Sequence, residues 1–154
     1  MDEKVRVGLA LVLLALLAVA AFYGTRYWQA TQGAWTRVVS QVDCDLNRGP
    51  CRQPLSGGAV VFSVLPSTIP LMKPLSLSLV TDGVQVDAVV VEIRGLNMDM
   101  GLNRTRLERT AEHVWSGETI LPVCSQRKME WEAAVLLEME GRFEVPFRFH
   151  TTRP

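Results

Sequence analysis

Three cysteines, six methionines and two histidines are the residues of this 154-residue chain best placed by type to do chemistry. Met98 and Met100 stand two apart in the segment GLNMDMG at 95–101, so in an extended backbone both thioethers project from one side. Thioether and thiolate sulfur select Cu(I) over harder ions. Cys124 and Met129 follow in sequence, and a return strand would bring them back to that segment. His150 or His113 would then complete a ligand set. The metal reading takes Met98, Met100, Cys124, Met129 and His150 as ligands, with Cu(I) as the ion. The competing reading is packing: methionine fills irregular gaps, and a single cysteine behaves as a small hydrophobe.

Cys44 and Cys51 form a separate pair in CDLNRGPC. The stretch 47–50 reads as a turn, which would bring the two sulfurs together. Their spacing is neither the C-x-x-C of redox motifs nor a common zinc spacing. Three readings stay open for them: a structural disulfide, a redox-active pair, or a soft-metal dithiol. Catalytic patterns are missing. There is no glycine-rich phosphate loop, no His-x-Glu metal motif and no G-x-S-x-G. His113 and His150 are the only neutral-pH bases, and neither has a nucleophile in a recognised context. The chain therefore reads as a protein that is not an enzyme.

The elements that must position these residues begin with a membrane segment. Residues 7–25, VGLALVLLALLAVAAFYGT, carry no charge and are bounded by Lys4, Arg6 and Arg26. At about 1.5 Å per residue the run reaches roughly the 30 Å of a hydrocarbon core. Lys4 and Arg6, with Ala18-Val19-Ala20, also fit a cleaved export signal. A retained anchor is favoured, because the apolar run continues past Ala20 to an aromatic belt of Phe22, Tyr23, Tyr27 and Trp28. The basic flank keeps the N-terminus in the cytoplasm, so the remainder is exported and the oxidising compartment permits a disulfide.

Sixteen basic and sixteen acidic residues leave a formal charge of zero, so nothing points to nucleic acid or a charged tail. About 100 residues remain for one folded domain. Residues 26–42, with Tyr27, Trp28, Trp35, Val38 and Val39, read as a helical stalk weakened by Gly33. Residues 43–58 are a break rich in Asp, Asn, Gly and Pro. From 59 the pattern turns to short β runs: 59–65, 75–80, 86–93, 103–110 as an edge strand, 114–123 interrupted at Ser116-Gly117, 130–140, and 142–151. Pro146 places the last at an edge. Asn103-Arg104-Thr105 has the form of a glycosylation sequon.

Seven short strands with frequent turns imply an all-β fold, an immunoglobulin-like antiparallel sandwich behind one N-terminal transmembrane helix. Its expected core holds Val61, Leu77, Leu79, Val89, Val91, Ile93, Ile120, Val135, Leu137, Phe147 and Phe149. The expected division is a membrane anchor over 1–28, a stalk and cysteine-containing linker over 29–57, and an exported β-domain over 58–154.

In this setting residues 74–151 resemble the FixH/YtkA-like group of small membrane-anchored bacterial proteins. The resemblance rests on VVVEIRGLNMDMG, then a polar strand ending near Leu107, then EHVWSGETILPV, MEWEAAVLLEMEG and RFEVPFRF. It implies an exported sandwich related in shape to CopC-type copper carriers, and a role in copper delivery or in assembling a haem-copper oxidase. Met98 and Met100 are the positions that match the group's methionine segment. The chain departs from the group in lacking a histidine beside that segment, and its three cysteines have no place in the pattern.

The expectation is thus a single-pass protein of the inner (cytoplasmic) membrane with a periplasmic C-terminal domain. It would hand copper to an oxidase subunit or another carrier. The rival functions are a metal-free interaction module of a membrane complex, and a thiol-disulfide redox protein using Cys44 and Cys51.

Overall fold

The structure, a computed structural model, describes residues 3–31, 34–40 and 43–153, with side chains except at 3–5, 10 and 27–31. The chain divides into two compact units, Met1–Ala34 and Trp35–Pro154.

The first unit is the helix α1 (Glu3–Thr31). Leucine and alanine dominate it, and no proline interrupts its backbone hydrogen bonds. The segment Arg6–Arg26 is long and apolar enough to cross a membrane, and none of it is buried by protein. Leu11, Leu14, Leu17 and Phe22 all stand exposed. A helix apolar on every side needs an apolar surrounding that its own fold does not supply. The apolar run closes where the Thr25 hydroxyl donates to the Phe22 carbonyl at 2.9 Å and the Arg26 guanidinium lies 5.8 Å from the Phe22 ring centroid. The side chains of Tyr27 and Trp28, expected in the belt, lie outside the described ones, as do Gly33 and Val42 of the expected stalk.

The second unit is all β. Its strands are β1 (Thr36–Arg37), β2 (Cys51–Leu55), β3 (Gly58–Leu65), β4 (Pro74–Asp82), β5 (Ala88–Gly95), β6 (Asn103–Ala111), β7 (Val114–Ile120), β8 (Lys128–Glu138) and β9 (Arg142–Thr152). They form one nine-stranded sheet in the order β1-β9-β8-β5-β6-β7-β4-β3-β2. β6 is the hinge of the sheet. Its first half pairs with β5 and its second with β7, with a register shift between Arg109 and Ala111. The sheet therefore runs on through β6 and curls back on itself. Phe62 on β3 and Phe147 on β9 meet across the core with ring centroids 5.2 Å apart.

Period-two patterning drives this packing. Along β4, Leu75, Leu77 and Leu79 are buried while the residues between them face outward or are half-buried. Each such leucine contributes about 1.5–3 kcal/mol of hydrophobic stabilisation. Trp131 is buried too, and its indole N–H finds a partner in the Thr151 hydroxyl at 2.9 Å.

The structure corrects several expectations. Ile120 is 51% exposed, and Val61 is only half-buried, because β3 turns Val60, Phe62 and Val64 inward instead. β6, expected at an edge, lies in mid-sheet; its charged residues face outward while Leu107 is buried. β7 is unbroken at Ser116-Gly117. Gly117 serves close approach there, since a Cβ at this position would lie 2.6 Å from Leu107 Cδ2.

Residues 35–57, expected as stalk and linker, belong to the β unit. Thr36 and Arg37 pair in parallel with β9, and the Val38 amide donates to the Glu144 carbonyl at 2.8 Å. The Leu46 amide donates to Arg148 at 3.0 Å. The Asn47 side chain then acts as a strand residue: it accepts from the His150 amide at 2.8 Å and donates to the His150 carbonyl at 3.0 Å. Arg37 binds the buried carboxylate of Glu132 at 2.6 Å and also reaches Glu144. The hydrogen bond that Arg37 donates to the Glu132 carboxylate raises the guanidinium pKa and outweighs burial, which opposes the charge.

Candidate functional site

β5 ends at Gly95, and the chain there leaves the sheet for the loop 96–102. Three local bonds hold this loop against β8. The Leu96 amide donates to the Glu130 carbonyl at 2.8 Å. The Asn97 side chain donates to the Lys128 carbonyl at 3.0 Å and accepts from the Glu130 amide at 3.1 Å. Beyond it the Asp99 carboxylate accepts from the Gly101 amide at 2.9 Å, an Asx-type turn completed by the left-handed φ of +73° at Gly101.

These bonds seat the methionines. A Cβ built on Gly95 would lie 2.2 Å from the Met98 carbonyl oxygen, 3.0 Å from Met129 Cε and 3.4 Å from Met100 Cγ. The side chains of Met129 and Met100 and the backbone of Met98 thus meet over one glycine. Met129 is buried in the core, whereas Met98 and Met100 are half-buried and pack on its rim. The Ser125 hydroxyl lies 3.6 Å from Met98 Sδ, which joins the loop 121–127 to the same cluster. Beside the cluster is an open depression of about 660 Å³, with Gly95, Asn97, Met98, Asp99 and Leu102 in its wall.

Cys124 stands next to Ser125, buried to 4% exposure, with its thiol 3.9 Å from the Pro122 carbonyl. Burial pushes the thiol pKa up, opposed in part by the Arg153 guanidinium, which also donates to the Cys124 carbonyl at 3.3 Å. At neutral pH the group is a protonated thiol.

His150 lies elsewhere. Met129 pairs with Thr151 and both are buried, while His150 pairs with exposed Glu130. The imidazole is therefore on the outer face of the sheet, where its Nδ1 lies 3.6 Å from Asp45 Oδ2. His113 is also remote, exposed in the turn between β6 and β7. Of the five expected ligands, Met98, Met100 and Met129 lie close to one another around Gly95, Cys124 is next in sequence to Ser125, which touches Met98, and His150 is elsewhere.

Cys44 and Cys51 form a disulfide with an S–S distance of 2.01 Å. Cys51 is fully buried and Cys44 half-buried, so the bond closes the loop that leads from the edge of β9 to β2. Its short loop places the expected stabilisation at about 2–3 kcal/mol.

Sequence reasoning missed two residues that do the positioning, Asn97 and Ser125. No local pattern marks them, because each acts on a segment about thirty residues away. The sequon asparagine has a structural task as well, donating to the Ile120 carbonyl and accepting from the Thr119 hydroxyl, each at 3.0 Å. Among the described residues no three of His, Cys, Asp and Glu converge in a way that could hold a metal. Comparison with known protein families, with curated proteins and with solved structures returns no match.

Proposed function

We propose that the protein is a membrane-anchored Cu(I) carrier whose β unit is exported and whose cargo sits at the methionine end. The observation that carries this reading is the meeting of the Met100 and Met129 side chains and the Met98 backbone over Gly95, with Met98 and Met100 half-buried and Met98 in the wall of an open depression. Neutral thioethers suit a soft monovalent ion and hold it without proton release. Met98 and Met100 are the exchangeable ligands, because an acceptor's sulfur can reach them. Met129 is the inner ligand, and Cys124, buried next to Ser125, is a reserve. Ser125 and Asn97 orient the loop. The basic flank of α1, Lys4 and Arg6, supports a cytoplasmic N-terminus, an inner-membrane anchor and a periplasmic β unit. An acceptor in the same membrane, such as a haem-copper oxidase subunit, would be met by diffusion in two dimensions, which raises the effective concentration.

The test is a Cu(I) competition titration of the full chain in detergent micelles, against a chromophoric chelator and under reducing conditions. The expected result is withdrawal of one Cu(I) by the native chain, and binding at least ten-fold weaker for Met98→Leu/Met100→Leu. If the native chain leaves the chelator loaded, the carrier reading falls.

A further inference from the structure

The same end of the β unit has a second property that does not depend on metal. Eight large hydrophobic side chains of this unit are exposed among the described residues, and six of them crowd here: Leu65, Met72, Leu96, Leu102, Ile120 and Val123. They come from the end of β3, the loop 66–73, the loop 96–102, and the end of β7 with its following loop. The loops are tied to one another. The Met72 amide donates to the Leu121 carbonyl at 2.9 Å, and the Asn103 side chain donates to the Ile120 carbonyl at 3.0 Å. Beneath them Ile69 and Leu121 are buried and plug the open end of the curled sheet. The apolar surface is therefore preformed, and covering it requires little ordering.

Charge is uneven here too. These loops and the three strand residues on either side of them carry Lys73, Arg94, Arg104, Arg127 and Lys128, with Arg153 beyond the end of β9, against Asp99, Glu118 and Glu130, in a chain whose charges sum to zero. The chain enters the unit at the opposite end, where Thr36 pairs with Phe143. That point is roughly 30 Å away along β9 at about 3.3 Å per residue. Tryptophan and tyrosine, the residues favoured at lipid interfaces, are missing from all three loops.

We propose that this end is a docking face for a protein partner whose own surface is an apolar patch ringed by aspartate and glutamate. The aliphatic tips supply the buried centre of the contact. Lys73, Arg127 and Lys128 form a rim that selects an acidic partner and repels a second copy of this basic end.

A photoreactive benzophenone side chain at position 102 of the full chain, in membranes of the cells that make it, tests this, with the same group at exposed position 80 as control. Both sites are on the surface, and retention of the Cys44–Cys51 bond on a non-reducing gel reports that each variant folds. The expected result is one protein adduct from position 102 and none from position 80. The adducted peptide should map to an apolar segment flanked by carboxylates. The adduct should fall at least ten-fold in Lys73→Glu/Lys128→Glu and in 0.5 M salt, as screening of rim charges requires. A lipid adduct, an adduct to a second copy of the chain, an adduct indifferent to charge reversal, or no adduct at position 102 would each overturn the proposal. Because the readout needs no copper, its failure leaves the carrier reading standing, and the reverse also holds.

Discussion

The two ends of the β unit are built differently. At the end where the chain enters, the connections run from two to five residues: Ser56-Gly57 between β2 and β3, residues 83–87 between β4 and β5, Glu112-His113 between β6 and β7, and residues 139–141 between β8 and β9. Acidic residues cluster near them, with Asp82, Asp87, Glu112, Glu138 and Glu140 all exposed. At the far end the connections are the longer loops 66–73, 96–102 and 121–127, and these hold the methionines, Cys124 and the exposed aliphatic tips. Tight turns fix strand register and leave no room for a site. Longer loops on a rigid scaffold can bend side chains toward one another, which is where binding residues tend to lie. The difference locates structural closure at one end and recognition at the other.

The largest effect expected from testing this contrast comes from glycine. At the turn end a Cβ on Gly58 would lie 2.0 Å from the Asp82 carbonyl oxygen, within paired strands that cannot part. Gly58→Ala should cost about 3 kcal/mol or more. Gly95→Ala meets the Met98 carbonyl just as closely, at 2.2 Å, but that carbonyl belongs to a loop that can shift. It should cost about 1–2 kcal/mol while weakening Cu(I) binding at least ten-fold. Denaturant melts of both variants decide it; equal losses would erase the distinction between the ends.

Next is the plug. Ile69 is 1% exposed, and Ile69→Ala should cost about 2–4 kcal/mol by denaturant melt. Its neighbour Met72, 64% exposed, should tolerate Met72→Ala within about 0.5 kcal/mol. At the entry end, Arg37→Ala removes the partner of buried Glu132. Because Arg37 is itself half exposed, the loss should be about 1–2 kcal/mol, and smaller at high salt, as melts at low and high ionic strength would show.

The smallest effect is on Cys124. A thiol whose pKa is raised by burial stays protonated where an unfolded thiol ionises. Its contribution to stability is therefore present below the ordinary thiol pKa of about 8.5 and is lost as pH rises past it. Labelling of Cys124 by iodoacetamide should be slower than for a free cysteine, with its midpoint at higher pH. Labelling at the free-thiol rate would place Cys124 at the surface and make it a primary ligand.

Much of this protein was legible from order alone. Residues 7–25 could only be an apolar helix, because a chargeless run of that length has one stable backbone solution when water is excluded. Strands β3, β4, β5, β8 and β9 showed as alternation or β-branched runs, since the two faces of a half-buried sheet demand period two. Leu77, Val89, Leu137 and Phe147 belonged to the core for the same reason. The turn at 47–50 predicted that Cys44 and Cys51 would approach each other but left a disulfide and a metal dithiol both open, and the structure bonds the two sulfurs.

What only the tertiary structure decided is non-local. The mid-sheet place of β6 was hidden, because outward-facing charge looks alike on an edge strand and a covered one. β1 and β2 lacked any pattern of their own and exist because β9 and β3 offer unpaired edges. The face of β9 that carries His150 depended on a register with β8, and a shift of one residue would have put the imidazole inside. The meeting of Met98 and Met100 with Met129 was set by Asn97 reaching across to β8. A residue's type limits what it can bind, but its neighbours in space are chosen by strand pairing, and pairing is a property of the whole sheet.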